Sequence, residues 1–124
     1  MKKYIAEAIG TFVLTLLGCG AAVCLNCGTD PASVVGTAMA FGLSVIAMAY
    51  AIGGISGCHI NPAITLGTYI AGRTSMKDLV GYICGQVIGA VVAAAVLYAF
   101  VMTAPGLAEG TTTGANVCAA GQVN

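Results

Sequence analysis

Three stretches of this chain are too apolar for too long to sit in water. Ile5 to Leu25 carries a single charge, Glu7, while Ser33 to Ile52 and Leu79 to Met102 carry none. Each has the roughly 20 residues needed to cross about 30 Å of hydrocarbon. Inside lipid every backbone N–H and C=O must find a partner within the protein, and apolar runs without two-residue alternation meet that demand as helices. With 59% hydrophobic and only 6% charged residues among 124, the expected fold is that of an all-α integral membrane protein. The net charge is zero and no basic cluster follows Lys2-Lys3, so nucleic acid has no electrostatic footprint. One His and a few scattered acids offer no nucleophile beside a base, so no catalytic residue and no enzyme are expected. The cysteines (Cys19, Cys24, Cys27, Cys58, Cys84, Cys118) lack metal-ligand spacing and read as small packing residues, with no metal or other cofactor implied. Only Cys27 and Cys118 fall outside the apolar core, which leaves one disulfide open.

The spans are expected at about 5–25, 33–52 and 79–102. Asn26-Cys27-Gly28-Thr29-Asp30-Pro31 is a polar turn in which Pro31 suits the start of a helix. Lys2, Lys3, Arg73 and Lys77 all fall on one side of this arrangement, predicting a multi-pass protein of the cell (inner or plasma) membrane with a cytoplasmic N-terminus. Lys2-Lys3 followed by apolar residues and Leu16-Leu17-Gly18-Cys19 resembles a lipoprotein signal, but Glu7 inside the apolar region argues against cleavage. Small residues at four-residue spacing, Gly81, Gly85, Gly89 and Ala93, predict close helix crossings. Residues 104–124, rich in Gly and Thr, read as an extracellular loop or tail that stops before a fourth span.

The segment 53–70 breaks the pattern. Gly53-Gly54-Ile55-Ser56-Gly57 favours extended backbone, and Asn61-Pro62-Ala63 then opens a helix, with Asn able to cap it and Pro suited to its first turn. Positions 61–70 cover roughly 15 Å, half of the hydrocarbon core, so this helix can enter a membrane without crossing it. Its N-terminus carries about half a positive charge and repels cations, and carbonyls of the preceding loop supply acceptors. The Asn61 side chain can cap with its oxygen and donate with its NH₂. Acceptors in a row followed by a donor describe a path for a small neutral hydrogen-bonding solute.

Ser56-Gly57-Cys58-His59-Ile60-Asn61-Pro62-Ala63-Ile64-Thr65 resembles the first signature of the aquaporin and glycerol-facilitator (major intrinsic protein) family. Ala6-Glu7-Ala8-Ile9-Gly10-Thr11-Phe12, Ala40-Phe41-Gly42-Leu43 and Gly81-Tyr82 with Gly85-Gln86 extend the likeness over residues 4 to 102. The resemblance implies three transmembrane helices plus one re-entrant half-helix, half of an aquaporin-like inverted-repeat bundle, in residues 1–103. It also implies a channel for water or other small neutral solutes such as glycerol. Asn61 would be the donor at the pore waist, Pro62 and Ala63 the helix start that meets a mirror element, and Gly57, Cys58, His59 and Ile60 the carbonyl ladder. Glu7 would hold the loop from behind, together with Gln86. Phe41 matches a position of the outer constriction, where Phe resembles the bacterial water-selective members. His59 has packing or capping of the loop as its plainer role, and Glu7 has snorkelling.

The sequence departs from the family in lacking a second Asn-Pro-Ala and a constriction Arg. Inverted-repeat channels place their sites where two opposed repeats meet. The expected partners are therefore the lipid bilayer, the solute, and a complementary channel half or further copies of the chain, tetrameric by resemblance. A shortened reading frame is the simplest origin of this pattern. The competing class is a non-conducting assembly partner or regulator of full-length channels.

Overall fold

Four helices follow one another: α1 (Lys2–Cys24), α2 (Pro31–Ser56), α3 (Pro62–Ile70) and α4 (Met76–Thr103). They come from a computed structural model that describes residues 1–103. The expected tail at 104–124, including Glu109 and Cys118, lies outside the described residues. At 1.5 Å per residue α1, α2 and α4 are about 35, 39 and 42 Å long, and all three are long and apolar enough to cross a membrane. With α3 reaching only about 14 Å, the chain is a multi-pass membrane protein with one short helix.

The long helices begin ahead of the apolar runs, and α2 and α4 also end beyond them. Asp30 starts α2 at Pro31, two residues before the expected Ser33: its carboxylate accepts the N–H groups of Ala32 at 2.8 Å and Ser33 at 3.0 Å. The Ser33 hydroxyl oxygen in turn accepts the Asp30 N–H at 3.4 Å, completing a capping box. The Ser33 N–H, with that of Ala32, holds the Asp30 carboxyl below its ordinary value of 3.8. At the opposite end, α1 and α4 start at Lys2 and Met76, ahead of the expected 5 and 79, because their polar first turns bind each other. Lys3 Nζ lies 2.7 Å from the Asp78 carboxylate and the Tyr4 hydroxyl donates to Asp78 at 2.9 Å.

The expected extended backbone from Gly53 requires correction: Gly53, Gly54, Ile55 and Ser56 are the last turn of α2. Each interior glycine costs about 1 kcal/mol relative to Ala. An amide left unpaired in hydrocarbon costs several kcal/mol, so the helix persists. It stops at Gly57, whose φ of +87° turns the chain out of α geometry while its N–H donates to Gly53 O at 3.0 Å. The irregular loop is thus five residues, 57–61.

α1 lies between α2 and α4. Gly18 of α1 faces Phe41 of α2, and Gly10 faces Ile52, so these two helices are antiparallel. α4 runs parallel to α1, with Gly81 against Tyr4 and Gly89 against Ala8. A Cβ at Gly85 would lie 2.7 Å from the Tyr4 carbonyl oxygen, and one at Gly89 would collide with that of Ala8. Backbone therefore touches backbone, the contact that substitutes for the hydrophobic drive that lipid removes. Ala6, Met48, Ile52 and Ile60 form one small core cluster, and Val23, Leu97 and Val101 another. Much of the remaining apolar surface faces outward, Val35 at 59% and Tyr50 at 90% exposure among it.

Candidate functional site

α3 starts inside the bundle and returns to the end where α4 begins. Ile60, just before its tip, touches Gly10, eight residues and so about 12 Å along α1 from Lys2. Asn61 caps it from extended backbone (φ −156°, ψ 124°): its Oδ1 accepts the Ala63 N–H at 2.8 Å, and Pro62 occupies the first turn. The Asn61 NH₂ has no partner among the described residues, and Asn61, Pro62 and Ala63 are exposed.

The loop leading to this tip is strained. Cys58 and Ile60 have φ of +52° and +40°, left-handed values that are uncommon for any side chain and outlying for a β-branched one. Such residues cost on the order of 1–3 kcal/mol each and need surroundings that enforce them. The enforcement comes from Glu7, which is fully buried. Its Oε1 accepts the Ser56 hydroxyl at 2.6 Å and the His59 N–H at 2.9 Å; its Oε2 accepts the Ile60 N–H at 2.6 Å and Gln86 Nε2 at 2.8 Å. Four donors converge on two oxygens. Hydrogen bonds to a charged group contribute roughly 1.5–3 kcal/mol each, so the three made by Ser56, His59 and Ile60 are enough to offset the strain of Cys58 and Ile60.

α4 completes the clasp. The Tyr82 hydroxyl donates to Ser56 O at 2.7 Å, and its ring meets the His59 ring edge-on at 5.0 Å. Gln86 Nε2 also donates to Thr65 Oγ1 at 3.0 Å, which ties α4 to α3. Ser56 Oγ accepts the Cys58 N–H at 3.1 Å. With the loop amides of Cys58, His59 and Ile60 drawn to this side, no donor among the described residues bonds the carbonyl oxygens of Gly57, Cys58, His59 or Ile60.

Glu7, Gln86, Gly57, Cys58, His59, Ile60, Asn61, Pro62 and Ala63 therefore lie in one continuous arrangement. Phe41 stands apart from it along the bundle: its ring lies against Gly18, eight residues and so about 12 Å along α1 from the Gly10 that Ile60 touches. Ser56, Thr65 and Tyr82 belong to the clasp although no role was expected of them. Their signal was available in spacing, since Tyr82 precedes Gln86 by one turn and Thr65 follows Asn61 by one turn. Cys27 is exposed and is bonded to no other cysteine among the described residues, and its candidate partner Cys118 lies outside them.

A half-helix that enters a bundle, with a polar clasp behind it, defines a half-repeat of the channel and transporter type. The profile of the Major intrinsic protein family matches residues 1–123, and the chain belongs to that family. It is 54% identical to Aquaporin Z of Bradyrhizobium diazoefficiens over 86% of this chain and 45% of that protein. Aquaporin Z of Rhodopseudomonas palustris is 50% identical over 99% of this chain and 53% of its own length. Aquaporin Z of Brucella melitensis biotype 1 is 46% identical over 89% and 49%. The chain thus spans about half the length of the curated relatives it matches.

Proposed function

We propose that this chain is one half of a passive membrane channel for water, and for other small neutral solutes such as glycerol, that conducts when a complementary half stands opposite α3. The observation that carries this reading is the division of labour in loop 57–61. Its amides from Cys58 to Ile60 are bonded to Ser56 and Glu7, its carbonyls from Gly57 to Ile60 face no protein donor among the described residues, and neither does the Asn61 NH₂ have a partner there. A solute meeting that side finds a row of acceptors and then a donor, beside a helix N-terminus whose partial positive charge opposes cations. The exposed Asn61-Pro62-Ala63 tip is the surface on which a mirror element would close the waist. The likeness to the Aquaporin Z relatives supports water as the solute, while a homo-oligomer, a tetramer, in the cell membrane is what the family resemblance of the sequence implies. The placement of Lys2, Lys3, Arg73 and Lys77 supports a cytoplasmic N-terminus.

Osmotic shrinkage of vesicles tests the function. Vesicles holding this chain with a complementary C-terminal half should show rapid water flow of low activation energy, and vesicles holding the chain alone should not. Rapid flow through the lone chain would overturn the need for a second half; no flow in either case would overturn the channel. In the completed pore Asn61→Asp keeps a capping oxygen but loses the donor, and should raise proton or cation leak with water flow retained.

A further inference from the structure

We propose that Thr65 is a positioning residue that fixes the tautomer of His59, keeping the imidazole proton on Nδ1 and leaving Nε2 as a hydrogen-bond acceptor. Thr65 is fully buried in the second turn of α3, and its hydroxyl oxygen has three polar neighbours. Asn61 O lies at 3.0 Å, Gln86 Nε2 at 3.0 Å and His59 Nδ1 at 3.2 Å.

Counting protons assigns them. Gln86 Nε2 also faces Glu7 Oε2 at 2.8 Å, an oxygen that already accepts the Ile60 N–H, so the Gln86 amide is turned with its nitrogen toward both and donates to Thr65. A carbonyl can only accept, and Asn61 O, which already takes the Thr65 N–H at 3.0 Å, has a second lone pair for the single hydroxyl proton of Thr65. Were it sent to His59 instead, Asn61 O and Thr65 Oγ1 would stand 3.0 Å apart with no hydrogen between them. One lone pair of Oγ1 then remains, and it is satisfied only if Nδ1 carries the hydrogen. In a neutral imidazole the other nitrogen is then bare, and among the described residues the His59 ring makes its hydrogen bond through Nδ1 alone. Nε2 and Cδ2 would lie 3.6 Å from a Cβ at Gly57, so this edge of the ring borders the loop where Gly57 leaves room.

The consequence, which rests on the channel reading above, is that the loop adds a side-chain acceptor to its carbonyls, two residues before the Asn61 donor. The assignment itself rests only on the hydrogen-bond geometry.

His59 is the only histidine of the chain, so ¹⁵N-histidine labelling reports on it without assignment. Solid-state NMR of the full chain in lipid bilayers, at alkaline pH where an imidazole is neutral, should show protonated Nδ1, bare Nε2, and a through-space correlation from the Nδ1 hydrogen to Thr65 Cβ. Thr65→Val should lose the correlation and redistribute the ring toward the Nε2–H form, and Thr65→Ser should restore the original pattern. An Nε2–H ring in the unsubstituted chain, or a tautomer unmoved in a folded Thr65→Val, would overturn the proposal. The correlation in the unsubstituted chain decides the matter even if the valine variant misfolds. Water flow plays no part in this readout, so its outcome and that of the vesicle experiment are separable.

Discussion

At the scale of single residues, the central fact is a carboxylate placed where lipid-embedded chains seldom tolerate one. Glu7 is an acceptor for all four of its neighbours, and its position inside an apolar helix is explained by the loop amides that turn toward it. Glu7→Gln keeps the volume and replaces one acceptor oxygen by a donor, which then faces either Ser56 and His59 or Ile60 and Gln86. Losing two charge-assisted bonds and opposing donors to donors should destabilise the fold by about 3–5 kcal/mol, measurable by unfolding in mixed detergent micelles. A change below about 1 kcal/mol would show that the loop is held by something else. Much of this clasp was legible beforehand: a charge alone in a span, and a Gln in another, are unusual enough to demand a reason. Thr65 was less visible because a Ser or Thr hydroxyl in a membrane helix usually satisfies itself on its own backbone, as Ser44 does with Ala40 O at 2.6 Å, and Tyr82 because an aromatic in a span is ordinarily a packing residue.

At the scale of elements, glycine has two opposite meanings here. Gly89 is where α4 touches the carbonyl of Ala8, whereas Gly54 sits in a helical turn with nothing within 4 Å of a Cβ added there. Gly89→Val should separate α1 from α4 and cost several kcal/mol, while Gly54→Ala should stabilise this chain by about 0.5–1 kcal/mol; both are checked by the same unfolding assay. The four-residue spacing in α4 announced the first meaning. The run Gly53-Gly54 misled because composition favours irregular backbone, and the cost of bare amides in lipid overrides composition. Capping is subject to a separate test. Since the Asp30 carboxyl is held below its ordinary value, its charge stabilises α2 above pH 3.8 and that contribution fades as pH falls through the lowered value. Asp30→Asn, which caps without charge, should therefore be less stable than the unsubstituted chain at neutral pH and equal to it in strong acid. A gap that persisted at low pH would mean the aspartate acts through something other than its charge.

At the scale of the molecule, three long helices and a short one leave α3 in contact chiefly with α4, and the outer faces of α2 and the α3 tip open. Hydropathy gave the number of long helices, and the Asn61-Pro62 pair gave the start of α3. Where α3 points was written in residues far from it, which no local pattern displays. The direction of insertion can be read with thiol labels in an otherwise cysteine-free chain. Thr29→Cys, in the turn between α1 and α2, should react with an impermeant maleimide on intact cells, and Arg73→Cys, between α3 and α4, only after lysis. The reverse result would invert the orientation drawn from the four cations.

The clasp also dictates timing. Glu7 leaves the ribosome early, but Gln86, which shares its Oε2 with Ile60, comes 79 positions later. A nascent chain halted between α3 and α4 would own the bent loop and its first acceptor without the amide that locks it to Thr65. The half-helix therefore gains its last anchors only when α4 lies beside α1, because the Ser56 carbonyl and Thr65 Oγ1 take their donors from Tyr82 and Gln86 of that helix.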